Sequence, residues 1–214
     1  MRVNTFYYPM IFALLFMLPN AAQSQRTQRF KAGIIAGLTA SQIDGDESAG
    51  YHKVGLQAGL RGVARLKKKQ DASVEILYTQ RGCRHQPQTF PLFSTTLNYI
   101  EVPVQWHYHD WLVDGDEDDG FYRVQFNAGL SYGRLLDYKD KYGIEGGGIT
   151  AALPDLNSNS FTVLLGATFY ASRHIGFTFR WQRALNNLYN TGEGGNYAKD
   201  LNEHSIAFQA LYMF

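Results

Sequence analysis

Five charged residues punctuate the polar side of an alternating chain: Arg61, Glu75, Glu101, Arg123 and Arg180. Glu75 and Glu101 have the chemistry of a carboxylate pair that shuttles protons. Three arginines of the same parity offer another use, an interior ion-pair network, because charges held away from water need partners. The network is the preferred reading. Glu101 is expected to be ionised and paired with at least one of Arg61, Arg123 or Arg180. His107 and His109 lie two apart, on one face of a strand, beside Asp110. Two imidazoles at that spacing could hold a transition metal. No third His or Cys ligand is close in sequence, so a polar strand end is the simpler reading. The run Asp114-Gly115-Asp116-Glu117-Asp118-Asp119-Gly120 invites a calcium ion, which takes carboxylate oxygens. It departs from the EF-hand pattern, with Asp119 where Gly belongs and Gln125 where the bidentate Glu belongs. It reads as a solvated acidic turn, and Asp44, Asp46 and Glu47 as an exposed loop. Cys83 is the single cysteine, which excludes an internal disulfide and a thiolate cluster, and it reads as an inert thiol in an external loop. Nothing resembles a GxSxG elbow or a nucleotide loop. The reading assigns no catalytic residue, no cofactor and no metal. Lys and Arg number 20 against 19 Asp and Glu, a balance that gives no reason to expect a nucleic-acid partner.

The elements that must carry these residues are strands. Tyr122, Val124, Phe126, Ala128, Leu130 and Tyr132 share one parity, while Arg123, Gln125, Asn127, Gly129 and Ser131 share the other. Successive strand side chains point to opposite faces, so one face is apolar and one polar. The same rhythm starts at Phe30, Val54, Ala72, Ile100, Phe161, Ile175 and Ile206. It is weaker in the segment from Phe161, and Leu77 breaks it in the segment from Ala72. That makes about eight strands of about ten residues, the length of a tilted membrane strand. Eight is the smallest common number for a closed transmembrane barrel, and closure removes every unpaired edge. The expected fold is therefore all-β, a closed antiparallel up-and-down transmembrane β-barrel. The charged parity should face inward, since an Arg in hydrocarbon costs about 2–4 kcal/mol. Pro103 has no N–H for the ladder and points to a bulge. Trp106, Trp111 and Trp181 fit interfacial girdles. Short links at 65–71 and 172–174 alternate with long ones at 41–51, 82–96, 133–160 and 185–203, which puts both termini on the periplasmic side. The link 110–120 is long for its side.

The N-terminus reads as an export signal. Arg2 precedes the apolar run Ile11–Leu18, Pro19-Asn20 ends it, and Ala22 and Ser24 are the small residues of a cleavage site. The run is too short to cross a bilayer as a helix. Residues 1–24 are expected to be a signal peptide and 25–214 the barrel domain. Aromatics at 14% and charges at 18% argue against disorder.

Several stretches carry a family resemblance: FKAGIIAGLTASQIDGDESAGYHKVGLQAGL, VEILYTQRGC, LNYIEVPVQWHY and NAGLSYGRLL. Together they resemble the PorT-like outer-membrane β-barrel family over nearly all of 25–214, most specifically at Tyr99-Ile100-Glu101-Val102-Pro103. The closing Leu211-Tyr212-Met213-Phe214 resembles the aromatic end read by barrel-assembly machinery. The resemblance implies residence in the outer membrane, lipid and assembly machinery as partners, and, through one family member, a link to proteins of a secretion machine. A non-enzymatic structural or interaction barrel is the expected role, with a secretion accessory as the alternative. A lipocalin-like soluble carrier would need the reverse arrangement, apolar side chains inside. A barrel lipid hydrolase lacks a nucleophile motif, and eight strands leave too little room for an open pore.

Overall fold

Alternation leaves each strand with one face that water rejects and one that it accepts, and eight such strands can hide the second face only by curling around it. A computed structural model describes residues 29–44, 50–85, 93–113, 121–142, 156–188 and 201–214. Its strands are β1 (Phe30–Asp44), β2 (Lys53–Lys67), β3 (Gln70–His85), β4 (Phe93–Val113), β5 (Phe121–Tyr142), β6 (Asn159–Tyr170), β7 (Ile175–Ala184) and β8 (Asn202–Met213). They form one closed barrel in chain order, each antiparallel to its neighbours, and β1 pairs with both β2 and β8. The proposed signal segment and its cut before Gln25, the acidic turn 114–119, and Asp46 and Glu47 lie outside the described residues.

The two faces sort as the parity requires. Leu60, Phe126 and Phe208 stand outward with half or more of their surface exposed, whereas Arg61, Glu75 and Arg180 are buried inside. A soluble carrier would show the opposite sorting, so that alternative fails. Trp106 and Trp111 are exposed on the outside and Trp181 is half-buried there. Tyr212 stacks on His174 and meets Phe214 edge-on near the chain end.

Four details differ from expectation. The strands outrun the membrane: β4 has 21 residues and β5 has 22, about twice a tilted span. Much of 82–96 and 133–160 is therefore strand. Backbone pairing continues past that length, where outward Arg134, Asp137 and Lys139 mask the alternation. Cys83 consequently sits in β3 and is buried inside rather than in a loop. Pro103 makes no bulge. Register with β3 is the same on both sides of it, Val74 facing Val104 and Leu77 facing Glu101, and only the intervening rungs are missing. The lost N–H costs rungs without adding a residue. The register shift of β4 lies instead at Asn98/Tyr99, opposite Leu136 of β5. Finally, parity breaks at the start of β5. Trp111 has a left-handed φ of 57°, and the rung between it and Arg123 is missing. Tyr122 turns inward and is buried, and Arg123 lies outside.

Candidate functional site in the barrel interior

The interior is built in storeys. At the middle, Arg61 on β2 stands directly across the ladder from Glu75 on β3. Its Nε donates to Glu75 Oε1 at 2.8 Å. Arg180, from β7 across the lumen, donates through Nη1 to Glu75 Oε2 and through Nη2 to Oε1, both at 3.0 Å. This is a bidentate fork on a carboxylate that already serves another arginine, the strongest geometry such a pair has. Amides and hydroxyls fill the space around it. Asn127 Nδ2 donates to Gln105 Oε1 at 2.6 Å, Gln57 Nε2 to Thr79 Oγ1 at 2.8 Å, and Ser205 Oγ to Gln182 Oε1 at 3.1 Å.

The second storey lies toward the long-loop end. Arg81 on β3 pairs with Glu101 on β4, and its Nη1 is 3.9 Å from Glu203 Oε2 on β8. Tyr99 donates its hydroxyl to the same Glu203 oxygen at 3.2 Å, and the Arg81 guanidinium lies 5.6 Å from the Tyr99 ring centre. Above this storey Ile43, Cys83, Leu97, Tyr99, Leu188 and Leu201 pack into an apolar cluster. A second apolar cluster, Ile35, Leu77, Tyr170, Leu211 and Met213, lines the side nearer the termini. Leu77 breaks the sequence rhythm because it belongs to this inner cluster.

The five residues singled out in the sequence thus separate. Arg61, Glu75 and Arg180 meet. Glu101 is inside, but its partner is Arg81, not Arg61, Arg123 or Arg180. Arg123 leaves the interior altogether; its guanidinium lies 5.5 Å from the Trp111 ring centre and 5.9 Å from that of Phe169. The lost rung at Trp111 is the physical reason, since it frees β5 from strict pleating there. Arg81 and Glu203 were missed, although the signal was present. Counting on by twos from Ser73, Glu75 and Thr79 reaches Arg81 and Cys83, and counting back from Ser205 reaches Glu203. His107 and His109 both point inward but take different partners: His107 Nε2 meets Ser73 Oγ at 2.6 Å, and His109 Nε2 meets Asp71 Oδ2 at 2.8 Å. Among the described residues no group of three or more His, Cys, Asp or Glu is placed to hold a metal ion. Near the termini Arg29, Lys31, Arg65 and Arg173, with Asp71 and His109, line a cavity of about 100 Å³.

A closed barrel with a greasy outside and a charged, filled inside has one environment that suits it, a membrane. The model of the outer membrane protein beta-barrel domain matches residues 21–190. The chain belongs to that family. It is an outer-membrane β-barrel protein, and membrane lipid is what its outer face meets. Several solved structures are similar to the chain at low identity. Ail of Yersinia pestis is similar at 12% identity and a TM-score of 0.46, over 87% of this chain and 99% of Ail. Neisserial surface protein A follows at 10% and 0.43, over 86% and 97%. OprG of Pseudomonas aeruginosa follows at 12% and 0.36, over 86% and 96%. No curated protein matches the chain.

Proposed function

We propose that the mature chain is a non-enzymatic outer-membrane anchor whose work is done by what it displays at its long-loop end. The observation that carries this reading is the plugged lumen. Glu75 is shared by Arg61 and Arg180 across the interior, and Leu188 and Leu201 seal the storey above. A barrel so filled is a scaffold and not a conduit. The display reading is supported by β4 and β5, whose extra length carries the loop end clear of the hydrocarbon. The proposal includes an export signal over 1–24, a mature domain over 25–214, and assembly through a machinery that reads the aromatic end Leu211–Phe214. The PorT-like kinship of Tyr99–Pro103 belongs to it as well, since that motif supplies both Tyr99 and Glu101 of the upper storey. A secretion accessory role rests on that kinship alone. The purified protein in planar bilayers is expected to give no regular conductance steps in neutral salt; steady porin-like openings by the unmodified protein would reject the plugged-scaffold reading.

A further inference from the structure

The outer surface is not uniformly convex. Where β6, β7 and β8 meet the bilayer, Phe169, Phe177, Phe179 and Phe208 surround the small residues Ala167 and Ala210. The registers place them in two adjoining rows, Phe169–Phe177–Ala210 and Ala167–Phe179–Phe208. Bulky rings beside alanines leave a groove of about 510 Å³, within the roughly 300–1,000 Å³ of small-ligand sites. Phe179 and Phe208 brace one wall edge-to-face at 5.1 Å. Val124, on the adjoining strand β5, completes the lining, and the next residue toward the short-turn end is Arg123. Its guanidinium lies over Phe169, a ring of the groove itself. Among the described residues Arg123 makes no ion pair, and its Nε is buried without a hydrogen-bond partner. A cation at the end of an apolar groove on a lipid-facing wall has the charge and shape of a phospholipid: phosphate at the guanidinium, acyl tail in the groove.

We infer that the β5–β8 face is a specific seat for one phospholipid, with Arg123 holding the headgroup phosphate and the Ala167/Ala210 depression holding a tail. The seat adds a defined position to the general contact between barrel and lipid. Short turns and both termini mark this end as periplasmic, and the periplasmic leaflet of an outer membrane is the phospholipid leaflet. Phosphatidylethanolamine supplies one phosphate for the one guanidinium, and it is the probe.

Native mass spectrometry of the detergent-solubilised full barrel tests this. Titration with phosphatidylethanolamine is expected to fill one site first. Arg123→Gln should weaken that first binding roughly ten-fold, the scale of a lost charge-assisted bond. Ala210→Phe, which fills the groove, should weaken it comparably. Migration of the unheated protein on a gel reports folding, and if Ala210→Phe does not fold, Arg123→Gln decides alone. Equal first-site affinity in wild type and Arg123→Gln would overturn the proposal. So would equal binding of diacylglycerol, which leaves only a greasy groove. Inorganic phosphate that displaces the lipid completely at millimolar concentration would reduce the site to an anion site and overturn it too.

Discussion

At the scale of the residue, Glu75 is the hinge of the interior. It accepts from two guanidinium groups that, among the described residues, have no second carboxylate in their own storey. Glu75→Gln keeps the shape and removes the charge, which strands two cations in a buried interior. The expected loss is about 3–5 kcal/mol of unfolding free energy in detergent, the cost of breaking a buried pair from one side. Arg180→Met should cost less, because the carboxylate keeps Arg61. Double-mutant cycles between positions 75 and 180 check both claims, and a coupling indistinguishable from zero would mean the fork is only apparent. Glu101 belongs to a different cycle. It should couple to Arg81 and not to Arg61 or Arg180, and a measured coupling to Arg180 would contradict the separation into storeys.

At the scale of the element, one strand glycine combines a left-handed φ with the close approach of a neighbouring strand. Gly82 in β3 has a φ of 141°, and an added Cβ would run into the Thr95 carbonyl of β4. Its N–H donates to Ser41 Oγ of β1 at 2.9 Å, so a strand beyond its ladder partners also depends on it. Gly82→Ala is expected to lower stability by about 1–3 kcal/mol, read from denaturant unfolding, with hydrogen exchange rising first around 80–84. The faces give a second test. Phe126→Arg puts a charge in hydrocarbon at an expected cost of about 2–4 kcal/mol, while Leu136→Arg, on the extended part of β5, should cost little. Similar folded yields for both in lipid vesicles would mean β5 sits differently in the bilayer. Strand number, closure and facing were legible in the sequence because a two-residue period survives wherever lipid demands it. Strand ends were not, because water makes no such demand of Arg134 or Lys139. The interior was half legible: Arg61, Glu75 and Arg180 declare their face by parity, whereas Arg123 loses it through a single left-handed backbone at Trp111 that no residue type announces.

At the scale of the whole molecule, the chain is a membrane object, and its proposed export signal can be tested. The mature protein is expected to begin at Gln25 and to stay with the outer membrane through carbonate extraction. Intact mass and fractionation check the two together, and a protein beginning at Met1 would remove the export signal from the account. The storeys carry a further consequence at this scale. The middle one holds two arginines to one carboxylate, and the upper one holds one arginine to two carboxylates, Glu101 and Glu203. Among the described residues of these two storeys three cations meet three carboxylates, so the six balance in number but not in place. The excess of positive groups lies in the storey nearer the termini and that of negative groups in the storey nearer the long loops. Between the two storeys the interior is thus electrically polarised along the barrel axis. If the Leu188 and Leu201 seal were cut back until ions could pass, the current would differ with the sign of the applied voltage, and the plugged barrel would have become a rectifier.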